Sequence, residues 1–72
     1  MGERSGRVVD YDARRGLGTV EDEDEGGRRF AFHCTRLADR DAELGAGTPV
    51  SFRVRAGHLG AWEADALRVG SG

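Results

Sequence analysis

Residues 6–20, GRVVDYDARRGLGTV, read as a strand, a tight turn and the start of a second strand. Val8, Val9 and Tyr11 favour β structure and predict a strand over about 7–11. Asp12-Ala13-Arg14-Arg15-Gly16 is a short polar loop whose glycine is free to take positive φ. Leu17-Gly18-Thr19-Val20 resumes an extended pattern over about 17–21, with Gly18 as a bulge or a point of close approach. Two strands alone are marginal in water, so this hairpin needs partners from the rest of the chain.

The partners follow in order. RRFAFHC at 28–34 alternates with period two: Phe30 and Phe32 share the core face, Ala31 and His33 the other. Residues 35–44 are more charged. Thr35 there caps a short turn, Leu37 drops into the core, and a helical turn or 3₁₀ piece is expected rather than a full helix. After the turn-rich ELGAGTP at 43–49, VSFRVR at 50–55 gives the cleanest alternation. Val50, Phe52 and Val54 are assigned inward, Ser51, Arg53 and Arg55 outward. AGHLG at 56–60 is a hairpin loop. A fifth strand lies within 61–69, with Ala64, Ala66, Leu67 and Val69 as its inward candidates. The ends, about 1–5 and 70–72, read as flexible. Five short strands and no long helix predict an all-β domain, curled into a barrel that reduces its exposed edges.

With 72 residues the chain makes one domain with a small core. Such a chain buries about 60% of its unfolded surface, for a stability on the order of 5 kcal/mol or less. A single cysteine, Cys34, excludes an intrachain disulfide and cannot build a metal site alone. No apolar run approaches the roughly 20 residues of a membrane span, and no signal-peptide pattern opens the chain. A cytoplasmic protein without a membrane partner is expected. All 11 cationic residues are arginine, against 13 acids. Five of those acids form EDEDE at 21–25; without them 11 arginines face 8 acids, a formal +3. The acidic stretch 21–27 is expected to be an exposed loop at a hairpin tip, because like charges repel and resist burial.

In order and spacing, several pieces resemble the cold shock domain family. They are G-x-V at 6–8, D-A-x-x-G-x-G at 12–18, F-x-F-H at 30–33, L-x-x-G-x-x-V-x-F at 44–52 and G-x-x-G at 57–60. The resemblance runs from Gly6 to about Val69. It implies a single domain over 1–72 with a five-stranded antiparallel OB-fold barrel. It also implies binding of single-stranded RNA or DNA through two ribonucleoprotein motifs on neighbouring strands, without chemistry and without a cofactor. The first motif, typically K-G-F-G-F-I, is here RGLGTV at 15–20. The second, typically V-F-V-H-F, is here FAFHC at 30–34. The family's strand-one tryptophan falls at Asp10. Leu17, Thr19, Ala31 and Cys34 stand where the motifs carry aromatic rings, so most stacking platforms are lost. Each stacked base is worth about 1–3 kcal/mol.

His33 is the one outward residue carried over, to stack on or hydrogen-bond a base; the alternative is a plain surface histidine. Arg7, Arg14, Arg15, Arg36 and Arg53 are candidates for phosphate contact, or else a solvated arginine surface with acidic partners. Tyr11 matches a family aromatic and either stacks a base or closes the barrel edge. With Leu17 and Thr19 these residues make up the candidate binding set. The acidic run either keeps the protein soluble or competes with nucleic acid for the arginines. Trp62 either caps the core or serves as a hot spot for a protein partner or a homodimer. A Cys34–His33 catalytic pair is not expected, because strand neighbours point to opposite faces, and His58 lies in a loop. EDEDE lacks the spacing of a calcium loop, and the glycines precede no helix that would cradle phosphate. The leading expectation is a weak, salt-dependent, non-enzymatic module for single-stranded nucleic acid. The second is an OB-barrel adaptor or homodimer that has lost that activity.

Overall fold

The computed structural model describes residues 3–24, 26–38, 44–57 and 60–70. Five strands, β1 (Arg4–Asp12), β2 (Leu17–Asp22), β3 (Arg29–His33), β4 (Pro49–Ala56) and β5 (Trp62–Val69), close into a barrel. Their order around it is β1-β2-β3-β5-β4, with β4 pairing back onto β1. The expected all-β, five-stranded, OB-like barrel is therefore present. Four seams are antiparallel and the fifth, β3 against β5, is parallel. The parallel seam follows from number: strand direction cannot alternate all the way round a ring of five.

The core is Val8, Val20, Phe30, Phe32, Leu37, Leu44, Val50, Phe52, Ala64 and Leu67. Phe30 and Phe32 are inside, and Ala31 and His33 are outside, as the period-two pattern required. Phe30 packs at a tilt on Phe52 with ring centroids 6.0 Å apart, and the Arg28 guanidinium lies 5.1 Å from the Phe30 centroid. A 3₁₀ turn, Cys34–Arg36, follows β3 and delivers Leu37 to the core. Residues 39–43 and His58 lie outside the described residues.

Two register shifts redirect side chains. In β1 the pairing passes from Val8↔Val20 to Asp10↔Thr19, so Val9 is an extra residue. Val8 and Tyr11 then both turn inward, and Tyr11 stacks on Phe32 at 5.7 Å and 10°. Gly18 lies opposite Tyr11 on one side and Phe32 on the other. A Cβ there would meet the Phe32 ring and come within 2.8 Å of the Asp10 carbonyl oxygen, so Gly18 is a point of close approach. In β5 the pairing passes from Arg68↔Ser51 to Asp65↔Arg53, and Ala66 takes φ 51°. Ala64 and Leu67 therefore both face in, whereas Ala66 and Val69, expected inward, are exposed.

Three further expectations are corrected. β1 begins at Arg4, since Arg4 and Ser5 pair with Phe52 and Ser51. Ser51, expected outward, is buried, because β1 and β5 flank it at Ser5 and Arg68. The acidic run is not simply an exposed loop. Alternation along β2 puts Gly18, Val20 and Asp22 on the inner face, and Asp22 is fully buried opposite Gly6. Its Oδ2 accepts from Arg4 Nη1 at 2.7 Å and its Oδ1 from the Asp24 N–H at 2.8 Å. The turn is also fastened to β1, where Glu23 N–H donates to the Ser5 carbonyl at 3.0 Å.

A buried carboxylate left without its cation is costly. Arg4→Ala is expected to lower stability in urea by about 2 kcal/mol. The double variant with Asp22→Asn should lose less than the sum of the single losses, because the uncompensated charge is gone. Strict additivity in those unfolding curves would show that the pair is not coupled.

Candidate nucleic-acid interface

The sequence candidates separate into a strip and outliers. Leu17 on β2 pairs with His33 on β3, and both side chains are exposed. Asp12 lies on the other side of Leu17. Its Oδ1 accepts from the N–H groups of Arg14 (3.0 Å) and Arg15 (3.3 Å), and its Oδ2 lies 3.7 Å from Arg15 Nε. That carboxylate shapes the turn, and Gly16 completes it at φ 70°. The Gly16 carbonyl accepts from the Cys34 N–H at 2.7 Å, and a Cβ on Gly16 would meet the Cys34 sulfur. The turn bearing Arg14 and Arg15 is thereby pressed against the end of β3, beside His33.

On the far side of His33, β3 pairs with β5 at Ala31↔Glu63, and two residues further along β5 Asp65 meets the 3₁₀ turn that follows β3. Arg36 Nε lies 3.8 Å from Asp65 Oδ1, and Arg53 is the residue opposite Asp65 on β4. The strip thus reads Arg14 and Arg15, Leu17, His33, then Arg36 and Arg53. Its ion pairs are long; Arg15–Asp12 is exposed and Arg36–Asp65 half-buried, and the exposed pair contributes roughly 0–1 kcal/mol.

The His33 ring is oriented by a residue the sequence reading did not assign to the site. Thr35 donates its backbone N–H to Nδ1 at 3.2 Å, and its Oγ1 is 3.0 Å from the same nitrogen. The neutral ring therefore carries its proton on Nε2. The Cys34 sulfur lies 3.8 Å from Nδ1. Strand alternation would have separated the two, but it stops at His33, where the 3₁₀ turn begins. With Nδ1 already accepting from Thr35, this proximity does not make His33 a base for the thiol.

Other candidates lie elsewhere. Tyr11 stacks on Phe32 at the barrel's end rather than standing on the outer face. Thr19 pairs with Asp10 and Ala31, and Ala31 with Glu63, so the row next to the strip carries two carboxylates and two small side chains. Arg7 is remote from the strip, opposite Glu21 and 3.7 Å from Glu23 Oε1. It shares a depression of about 450 Å³ with Glu21, Asp22, Glu23 and Gly27. Three carboxylates to one guanidinium make that depression unsuited to phosphate. Trp62 is 49% exposed at the start of β5.

No three metal-ligating side chains converge among the described residues. No helix among them is long and apolar enough to cross a membrane. No family model matches the chain, and no curated protein matches it.

The Thr35 contact predicts the Nε2–H tautomer for neutral His33. Ring ¹⁵N shifts at a pH where the imidazole is neutral should show Nε2 protonated and Nδ1 as the acceptor. The opposite assignment would mean that the Thr35 N–H does not bond the ring.

Proposed function

We propose that this chain is a non-enzymatic module for single-stranded nucleic acid, of cold-shock type, that binds weakly and in a salt-dependent way. Its place of action is then the cytoplasm. The observation that carries this proposal is the strip in which Leu17 and His33 lie side by side between Arg14 and Arg15 at one end and Arg36 and Arg53 at the other. Leu17 offers an apolar seat for a base and Nε2–H of His33 a donor. The guanidinium groups track the phosphates on either side. Affinity is limited by what has replaced the rings: Asp10 and Glu63 repel a polyanion, and Thr19 and Ala31 give no stacking surface. No step of bond making or breaking is assigned to any residue.

A second reading is favoured by Trp62, whose half-exposed ring suits an adaptor or homodimer contact. Titration of short RNA and DNA oligomers at several salt concentrations separates the two. The nucleic-acid module shows binding whose log K falls with log salt. Arg15→Ala and Arg36→Ala each reduce that slope by about 0.7, and His33→Ala weakens binding at every salt concentration. Absence of binding at low salt, with a dimer in sedimentation that Trp62→Ala dissolves, would replace it with the adaptor.

A further inference from the structure

We propose that the outer face selects guanine, and that the carboxylate of Asp10 is the group that selects it. This rests on the nucleic-acid reading of the same face. The extra residue at Val9 turns Asp10 outward, where it is exposed and opposite Thr19, with Ala31 next in the same row.

Asp12 and Asp65, beside the strip, are engaged, and Glu63, in the same row as Asp10, lies with its side chain against Gly57. Both Asp12 oxygens are taken by Arg14 and Arg15. Asp65 serves Arg36 and the Ala66 N–H. Asp10 has no hydrogen bond or ion pair among the described residues, so both its oxygens remain open acceptors.

The spacing suits one base. Leu17 and Thr19 are two residues apart on β2, about 7 Å. Asp10 is the diagonal neighbour of Leu17 across β1 and β2, about 7–8 Å away, so a base seated on Leu17 and turned toward Thr19 brings its outer edge beside Asp10. Thr19 and Ala31 are small enough to leave the edge room.

A carboxylate only accepts hydrogen bonds. Guanine presents two adjacent donors, N1–H and N2–H, which match its two oxygens as a pair. Uracil and thymine offer one N–H between two carbonyl oxygens. Cytosine and adenine place a ring-nitrogen lone pair beside the amino group. Each of these two arrangements brings an acceptor against a negative charge and leaves one oxygen unpaired. In a duplex this edge of guanine is already paired, so the preference applies to single strands.

The test uses three RNA heptamers, all-uridine, the same with a central guanosine, and the same with a central inosine, measured by fluorescence anisotropy at low salt. Inosine keeps N1–H and lacks the N2 amino group. The guanosine heptamer is expected to bind about tenfold more tightly than all-uridine, with inosine losing most of that gain. Asp10→Asn should abolish the preference, since an amide presents a donor where guanine also donates, and should tighten binding of the all-uridine heptamer by removing a repelling charge. Binding of all three heptamers with equal affinity, or a guanosine preference that survives Asp10→Asn, overturns the assignment to Asp10 while leaving the nucleic-acid reading in place. No binding of any heptamer overturns both.

Discussion

Between the Val8–Val20 and Asp10–Thr19 pairs, β1 carries one residue more than β2. Strict alternation from Val8 would aim Asp10 at the core and Tyr11 at solvent. A bare carboxylate beside Phe32 and Phe52 would be expensive to desolvate. The extra residue reverses both directions at once. Tyr11 turns in to stack on Phe32, and Asp10 turns out beside Thr19. Gly18 makes this possible, because any side chain there would strike the Phe32 ring and crowd the Asp10 carbonyl. One backbone irregularity thus finishes the core at one end and sets the charge of the outer surface.

Toward the start of β1 the barrel uses a different device. Asp22 is buried opposite Gly6 and held by Arg4 Nη1 and the Asp24 N–H. A buried ion pair adds little net stability compared with apolar packing. It does penalise error. Slipping β2 by one residue against β1 would present Glu21 to the interior and move Asp22 away from Arg4. Gly6 tightens the constraint, since a Cβ at that position would collide with the Glu21 carbonyl oxygen. With ten buried apolar residues among those described, the core has little reserve, so a wrong register has few compensating contacts to draw on.

The parts legible in the sequence are those where period two runs uninterrupted. β2 and β3 pair without a shift from Leu17↔His33 to Glu21↔Arg29, and there the assignments of Phe30, Phe32, Ala31 and His33 hold. β5 defeats the same logic because its irregularity falls at Ala66, a residue type that gives no sign of positive φ. Asp22 followed the alternation of Gly18 and Val20, but a block of five acids hid its place in it. The lock on the His33 ring arises where the strand stops and a 3₁₀ turn starts, a boundary too short to show a period. Arg36 meets Asp65 only because β5 closes on β3 across the parallel seam, and no local pattern encodes that closure.

Both signs of charge are present at each end of the barrel, and the two ends differ in how firmly they hold them. Arg7, on β1, sits between Glu21 and Glu23, and the Glu23–Ser5 backbone bond fastens the turn that carries Glu23 to β1. A polyanion approaching there meets carboxylates that cannot swing away as a loose loop would. At the other end, Arg15 and Arg36 are paired to Asp12 and Asp65 across 3.7 and 3.8 Å, the first pair exposed and the second half-buried. Such pairs are screened by salt and exchange partners at low cost. The acidic run therefore sets fixed carboxylates at one end of the barrel, and the looser pairs of Arg15 and Arg36 lie at the other. In the binding mode proposed above, a strand drawn to that end would lie over Leu17 and His33 and meet the Asp10 row only with its base edges. On such a surface, phosphates are attracted from the ends of the strip and repelled from its flank. In that proposed mode backbone affinity would be low, and the contacts made by the base would carry a larger share of the discrimination.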